Sequence, residues 1–396
     1  MGAYKFSDMK ITLLIIFLFS SISSITAQQC NQLLYGKTSG LLPFLKYGPG
    51  EDRLGGAKMT YLDTCIVMQV TDSTKDDFIV QLSKNHKAFI PKNNFQLISD
   101  YSKSAYTLSS SWSVYGDEKY DYVSIGLEGK LPYRSVQQIN PARIVVDIFG
   151  ATSNTNWLTQ LRSVKEIKHV YYEQVEDDVL RVTIELKHSQ HWGYFISYKK
   201  NSLNIRVKRQ PEKLRIRNLH IAIDAGHGGT STGATGVTTG INEKEYNLRI
   251  AKALEKYLNK KHAQTFMTRN EDIDVGMIDR ALMLHQDDPD ILISIHHNAA
   301  DNANVKGVST YYRYIGFRPL SQTILNRMLE LKLSEFGNIG SFNYALSGPT
   351  EYPNCLVEVA FLSNVDDEKR ILDPAFPKDV AKKIYKGIRD WLKENR

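Results

Sequence analysis

Four short segments of the sequence carry side chains of the kinds that bind metal ions or transfer protons. His227 lies in the glycine-rich run DAGHGG, and Glu243 lies in NEKEYNL. His296 ends the apolar run ILISIH, and Glu358 interrupts the apolar run LVEVAFL. Two imidazoles and two carboxylates suit a catalytic zinc site, which takes three protein ligands, leaves one position for water and needs a separate base.

Each of these residues also has an ordinary structural explanation. His227 could be a plain loop histidine, because the surrounding glycines match neither G-x-x-x-x-G-K-[ST] nor G-x-G-x-x-G. Glu243 would stabilise the first turn of a helix capped by Asn242, where the helix dipole favours an anion. Glu358 could form a buried ion pair, since a carboxylate in an apolar strand is costly unless it is paired or lies in a cleft.

Other zinc patterns are missing from the sequence. There is no H-E-x-x-H, and Thr230 stands three positions after His227, where carboxypeptidase-type sites have Glu. His296 and His297 are adjacent, so an extended backbone would point them to opposite faces. We expect His296 to face the site and His297 to be its neighbour.

The elements that would position these residues alternate between strand and helix after a boundary near Gln210-Pro211-Glu212. This alternation predicts an α/β domain over residues 211–396 with a mostly parallel sheet, whose ligands bind at the carboxyl ends of the strands. The predicted strands are Leu219–Ile223, Thr265–Thr268, Ile291–Ile295, Gly307–Tyr312 and Leu356–Phe361. The predicted helices lie near Glu243–Asn259, Ile278–His285, Leu320–Phe336 and Lys378–Lys393.

The preceding half of the chain predicts only β structure. Residues 28–100 hold short apolar runs broken by turn residues, which indicates a small all-β module that loosely resembles an SH3-like barrel. Residues 101–210 hold longer alternating runs; in Arg143–Ile148, for example, Ile144, Val146 and Ile148 share one face. This pattern favours a β-sandwich.

The N-terminus has the pattern of a secretory signal peptide over residues 1–27. Lys5 and Lys10 precede the apolar run 11–19, and Ala27 is a suitable residue before the cut. The run is shorter than the about 20 residues of a membrane span, so an uncleaved anchor is the less favoured alternative. We therefore expect a secreted protein, periplasmic or associated with the cell wall, with no stable membrane span after cleavage.

Composition excludes several protein classes. The chain has 396 residues, a net charge of +7, 42% hydrophobic and 23% charged residues, which is ordinary globular usage. Three cysteines are too few for a disulfide scaffold; a Cys30–Cys65 pair stays open, and Cys355 is predicted to be a buried free thiol. No basic run is interleaved with aromatic residues, so nucleic acid is not an expected partner.

The ordered motifs resemble a known family. DAGHGG…GATG, NEKEYNL, MTRNEDIDVGMIDRA, ISIHHNAA, GVSTYY and LVEVAFLSN together closely resemble the zinc-dependent N-acetylmuramoyl-L-alanine amidases of the amidase type 3 family. The resemblance runs from about Leu219 to the C-terminus, with departures at Ala225, His297 and Ala360 that remove no ligand. PARIVVDIFGA, LRVTIELK and YFISYKKNSLNIRVK resemble an AMIN domain.

The resemblance implies an activity and a set of site residues. It makes His227, Glu243 and His296 the ligands of one Zn²⁺ per catalytic domain and Glu358 the catalytic residue. The implied reaction is hydrolysis of the amide between the lactyl group of N-acetylmuramic acid and L-alanine in peptidoglycan. The following residues are weaker candidates for substrate binding: His297, Asn298, Arg269 and Arg280.

Other functions remain open at this stage. The chain could be another zinc peptidase or amidohydrolase acting on wall peptides, or a non-catalytic wall-binding protein. The β modules could bind a divisome or activator protein, which would place the enzyme in cell division. The sequence leaves open the preferred glycan and peptide length, the oligomeric state, and whether division or wall recycling is the use.

Overall fold

The computed structural model describes residues 33–50, 54–99, 101 and 106–396. The predicted signal peptide, residues 1–27, and Cys30 lie outside these residues, so the cleavage and the Cys30–Cys65 pair stay predictions. Cys355 is buried, as its apolar surroundings predict. Among the helices of the described residues, none combines the length and the hydropathy that crossing a membrane requires.

The first β module is an antiparallel sheet of seven strands with the order β3-β2-β6-β5-β4-β1-β7. Buried and less buried residues alternate along β4, because successive side chains point to opposite faces of the sheet. The strands are β1 (Leu34–Thr38), β2 (Phe44–Lys46), β3 (Lys58–Tyr61), β4 (Val67–Ser73), β5 (Asp77–Ser83), β6 (His86–Pro91) and β7 (Phe95–Ile98).

The second β module contains two sheets. One has the order β10-β11-β15-β14, and the other β12-β8-β9-β17-β16 with β13 paired to β8. Ile144, Val146 and Ile148 are buried together, as their alternation predicts. The strands are β8 (Thr107–Gly116), β9 (Tyr120–Leu127), β10 (Tyr133–Gln138), β11 (Arg143–Phe149), β12 (Ala151–Thr152), β13 (Leu158–Gln160), β14 (Ile167–Glu176), β15 (Val179–Leu186), β16 (Tyr194–Lys199) and β17 (Ser202–Lys208).

The two β modules share one apolar core. Leu45 and Ile66 of the first module belong to the same buried cluster as Val146 and Ile205 of the second. Burial of each such aliphatic side chain contributes about 1.5–3 kcal/mol. The prediction of an all-β N-terminal half is confirmed, whereas the exact boundaries at 100 and 210 stay predictions.

The C-terminal half is an α/β domain with the sheet order β19-β18-β20-β23-β21-β22. Every neighbouring pair is parallel except β21 with β23, so the predicted mostly parallel sheet is confirmed. Its elements are β18 (His220–Ala225), α1 (Glu243–Asn259), β19 (Gln264–Met267), α2 (Met277–Asp287), β20 (Ile291–Asn298), β21 (Val308–Tyr311), α3 (Arg318–Leu329), β22 (Glu335–Ile339), β23 (Asn354–Phe361), α4 (Val365–Ile371) and α5 (Phe376–Glu394).

Helices cover both faces of this sheet. Ile221 and Ile293 point into the core formed with α1, α3 and α5, while Ala222 and Leu292 point the other way, towards Leu284 of α2. The apolar stripe of α5 is buried, as its spacing predicts. His296 and Glu358 therefore stand on strands that are packed from both sides.

Three details of the α/β domain differ from the sequence predictions. The helix predicted over Leu320–Phe336 ends at Leu329, and the strand β22 replaces its last part. The short helix α4 was not predicted, although Asn364 caps it by accepting from two backbone N–H groups. Asn242 occupies the cap position of α1 but its side chain makes no capping bond. Loop carbonyl groups accept the first helical N–H groups instead, as Ala234 does for Glu243 at 2.9 Å.

Candidate metal centre

His227 is presented by a sharp turn after strand β18. Its backbone φ is +60°, and Gly228 and Gly229 also have positive φ. Glycine adopts this region without strain, so the two glycines let the chain reverse while the imidazole projects outwards. The side chain is 30% exposed, and Ser231 Oγ lies 2.9 Å from its Nδ1. Nε2 is therefore left to face Glu243.

Two buried arginines stabilise this turn through hydrogen bonds to its carbonyl groups. Arg280 donates to Asp224 Oδ1 at 2.6 Å and to the His227 carbonyl at 2.7 Å. Arg269 donates to the carbonyls of Ala225 at 2.8 Å and Gly226 at 2.9 Å. Neither guanidinium lines the cavity beside His227, and both are almost fully buried. The geometry indicates that both arginines have a structural role in the turn. Their binding of substrate stays a prediction.

Glu243 is the first residue of α1 and is buried, with only 3% of its surface exposed. Its Oε2 accepts from the Ala234 N–H at 2.8 Å, and its Oε1 accepts from Asn247 Nδ2 at 3.0 Å and from the His297 N–H at 3.1 Å. A buried carboxylate is stable only when such donors surround it. These bonds fix both oxygens in direction.

His296 stands near the carboxyl end of β20, one strand away from the end of β18. Its Nδ1 lies 3.0 Å from Glu243 Oε1, and its ring centre lies 5.1 Å from that of His227. His227 Nε2 lies 3.2 Å from Glu243 Oε2. Candidate ligand atoms of these three residues all lie within 4.8 Å of one another. The sequence separation is large, but the predicted convergence of the three residues is observed.

The electrostatics of the cluster fit a cation between its members. Burial alone would raise the pKa of Glu243, but hydrogen bonds with His227 and His296 hold that pKa well below its usual range. Burial opposes charging of His296, yet its hydrogen bond with Glu243 raises its pKa to about 9. The carboxylate thus favours a positive charge on His296, and a metal ion would replace that proton. Two imidazoles and one carboxylate are consistent with a metal site.

Glu358 lies on β23, directly beside His296 in the parallel pairing of β20 with β23. It is half-buried and lines the same cavity as the three candidate ligands. Its carboxylate is therefore separate from the cluster but opens into the same space. A base that accepts a proton from a reacting water requires this kind of position.

His297 and Asn298 follow His296 and diverge from it. His297 Nδ1 lies 2.8 Å from Asn247 Oδ1 of α1, and burial lowers the His297 pKa to about 4, which keeps the ring neutral. Asn298 lines the cavity, and its Nδ2 donates to Tyr311 Oη at 3.3 Å. Both His297 and Asn298 line the cavity, and their roles in substrate binding stay predictions.

The cavity above the cluster has a volume of about 480 Å³, a size that suits part of a polymer chain. Sequence reasoning missed several residues of its wall and support. Leu54 of the first β module lines it, together with Phe342 and Tyr344 from the loop before β23. No local pattern marks these three residues. Asn247 was also missed, although its place one helical turn after Glu243 puts both on one face.

Comparisons with known proteins agree with the geometry. Residues 221–390 match the family model described as N-acetylmuramoyl-L-alanine amidase, and residues 113–216 match the AMIN domain. The chain is 32% identical over 192 residues to the probable cell wall amidase LytH of Staphylococcus epidermidis, covering 48% of this chain and 64% of that protein. It thus spans just under two thirds of that relative.

Two further similarities cover the same half of the chain. The probable cell wall amidase LytH of Staphylococcus aureus is 28% identical over 212 residues, which are 53% of this chain and 71% of that protein. The crystal structure of N-acetylmuramoyl-L-alanine amidase from Clostridium difficile 630 is 30% identical and covers 45% of this chain and 98% of that chain, with a TM-score of 0.43.

Proposed function

We propose that this chain, which belongs to the amidase type 3 family through residues 221–390, is a zinc-dependent N-acetylmuramoyl-L-alanine amidase. It would hydrolyse the amide that joins the lactyl group of N-acetylmuramic acid to L-alanine in peptidoglycan. The observation that carries the proposal is the convergence of His227, Glu243 and His296 within 4.8 Å, in the cavity that Glu358 also lines.

The residues that would hold the zinc ion are His227, Glu243 and His296. Two imidazoles and one carboxylate form a donor set typical of catalytic zinc, which keeps one position open. When bound, zinc supplies a Lewis acid and lowers the pKa of a water ligand to about 7. The hydrogen bonds that Asn247 and the Ala234 N–H donate to Glu243 would orient the Glu243 carboxylate as a metal ligand. The contact with Ser231 would orient the His227 ring.

Glu358 would act as general base and then as general acid. Its carboxylate takes a proton from the attacking water, whose oxygen bonds to the lactyl carbonyl carbon. The amide C–N bond then breaks, and Glu358 returns the proton to the leaving alanine nitrogen. Proton transfer of this kind contributes typically about 10²- to 10⁴-fold to the rate. A carboxylic acid and a free amine are the products, and the reaction needs no covalent enzyme intermediate.

The β modules would place this site on its polymer substrate. The second module docks on the α/β domain through Tyr194, whose N–H donates to the Thr350 carbonyl at 2.8 Å, and through Trp192, whose ring lies 4.9 Å from that of Trp391. We further propose a location outside the cytoplasm at the cell wall, which the signal-peptide pattern supports. Binding of a divisome or activator protein by the modules also stays a proposal.

Digestion of purified peptidoglycan tests the proposed reaction. The mature protein should release glycans with free lactyl carboxyl groups and peptides with a free alanine N-terminus, both identified by mass spectrometry. A chelator should stop the release, and added Zn²⁺ should restore it. Cleavage inside the stem peptide would instead identify a zinc peptidase. Binding of the polymer without any cleavage would identify a non-catalytic wall-binding protein.

A further inference from the structure

The loop that carries Phe342 and Tyr344 is held by a part of the chain outside the α/β domain. Between them lies Asn343, whose Nδ2 donates to the carbonyls of Leu54 and Gly56, each at 3.1 Å. Its Oδ1 accepts from the backbone N–H of Lys58 at 3.1 Å. All three partners of Asn343 in these bonds belong to the first β module.

Arg313 completes this contact. Its Nη1 donates to Asn343 Oδ1 at 2.9 Å, and its Nη2 donates to the Lys58 carbonyl. An amide side chain has two N–H donors and two acceptor lone pairs, and here each has a partner. A fully satisfied group of this kind permits one orientation, so Asn343 fixes its loop to residues 54–58.

The residues on either side of Asn343 face the metal centre. Tyr344 Oη lies 3.3 Å from His296 Nε2, and the two rings meet edge to face at 5.6 Å. Phe342 stacks on Tyr344 with ring centres 6.0 Å apart, and packs on Tyr311 at 4.5 Å. The position of the Tyr344 phenol thus depends on the loop that the first β module holds.

The contact between Tyr344 and His296 affects how His296 can bind a metal ion. His296 Nδ1 faces Glu243 in the cluster, at 3.0 Å. If Nδ1 of His296 is the metal-binding nitrogen, the proton of the neutral imidazole lies on Nε2. Tyr344 Oη is then the acceptor of a hydrogen bond from that Nε2–H group. Partners of this second nitrogen fix the tautomer and the ring orientation of metal-binding histidines.

We propose that Tyr344 is a positioning residue for His296, and that the first β module sets the position of Tyr344 through Asn343. The module is then a part of the metal centre's support as well as a neighbour of the cavity. The effect on metal affinity stands by itself, and the effect on catalysis rests on the proposed amidase function.

Zn²⁺ affinity of the full chain tests the proposal without any substrate. The metal is removed, and the affinity is measured by competition with a chromogenic chelator. Tyr344→Phe removes only the phenol oxygen and should weaken Zn²⁺ binding about tenfold, as loss of an outer partner of a ligand does. Asn343→Ala should weaken it in the same direction.

The control is a contact between modules that lies away from the cavity. Gln137 of the second β module accepts from the Gly316 N–H at 2.9 Å, so Gln137→Ala removes a docking contact that involves neither a partner of Asn343 nor a residue lining the cavity. Its Zn²⁺ affinity should stay within about twofold of the unaltered protein, well below the about 10- to 100-fold loss that removal of an outer partner of a metal ligand causes. Thermal unfolding of each variant establishes that it is folded before its affinity is compared.

A double variant decides whether Asn343 acts through Tyr344. If it does, Asn343→Ala should change the Zn²⁺ affinity little once Tyr344→Phe is present, because coupled residues are not additive. Fully additive losses, an unchanged affinity in Tyr344→Phe, or an equal loss in Gln137→Ala would each overturn the proposal.

Peptidoglycan hydrolysis gives the catalytic readout. Tyr344→Phe should lower kcat while KM stays unchanged, because the ring that lines the cavity is kept and only the contact of the hydroxyl with His296 is lost. A raised kcat would instead identify Tyr344 as an inhibitory cover and overturn its positioning role. If the unaltered protein releases no product while the affinity pattern holds, the amidase function fails and the positioning of His296 stands.

Discussion

Replacement of Arg280 by methionine removes the buried cation that organises the His227 turn. Arg280 is 1% exposed and donates to Asp224 Oδ1, to the carbonyls of Ala225 and His227, and to the carbonyl of Val275 at 2.6–2.9 Å. Methionine fills a similar length of apolar space but offers no donor. The variant therefore leaves the Asp224 carboxylate buried without its cation.

The magnitude follows from the burial of Asp224. That residue is fully buried, and Thr268 Oγ1, at 2.7 Å, is its other hydrogen-bond donor. Removing one partner of a buried ion pair costs about 3–5 kcal/mol. The free energy of unfolding should fall by that amount. Zn²⁺ affinity should fall as well, because the His227 carbonyl loses the donor that holds its turn.

Urea unfolding followed by tryptophan fluorescence measures this loss, since Trp192 and Trp391 are buried and in contact. The matched control combines Arg280→Met with Asp224→Asn, which removes the stranded charge. The double variant should be more stable than the single variant by about 0.5–3 kcal/mol, the range of interaction energies between residues in direct contact. A loss below about 1 kcal/mol in Arg280→Met, or no recovery in the double variant, would refute the reasoning.

Three further expectations concern single residues. Glu358→Gln should keep bound zinc, measured by atomic absorption, but lose about 10²- to 10⁴-fold in kcat; an active variant would remove Glu358 from its role. His227→Ala should lose bound zinc, and an unchanged zinc content would contradict its assignment as a ligand. Burial lowers the pKa of Lys208 from 10.5 to about 7. Between pH 7 and pH 10.5, Lys208 is therefore deprotonated in the folded protein but still protonated in the unfolded chain. The free energy of unfolding should therefore rise with pH above 7, and Lys208→Met should flatten that rise in urea unfolding at pH 7, 8 and 9; equal slopes would contradict it.

Sequence patterns predicted those parts of the fold that depend on local periodicity. The helix α1 was predicted with its observed bounds, because its apolar stripe and acidic first turn are both local signals. The boundary between α3 and β22 was missed because Leu331 and Leu333 extend the apolar spacing beyond the helix. Lys332 has a φ of +61°, which breaks the helix in a way that residue spacing does not reveal.

For the candidate site, too, the sequence indicates some features and not others. His227, Glu243, His296 and Glu358 stand out because polar residues interrupt apolar strands or glycine-rich turns. Tyr344 contacts His296 from a distant part of the chain, whereas Asn247, which orients Glu243, lies only one helical turn after it. Residues 54–58 lie far before Asn343 in sequence, so a single sequence gives no signal for that contact.

The common core of the two β modules limits where the polypeptide can be truncated. Apolar side chains of both modules belong to one buried cluster, and the ring of His86 lies 5.1 Å from that of Phe149 across the boundary. A truncation after residue 98 would expose the other half of this cluster to solvent, and exposed apolar patches promote aggregation. The smallest soluble N-terminal fragment is therefore expected to span residues 34–208 as a single piece.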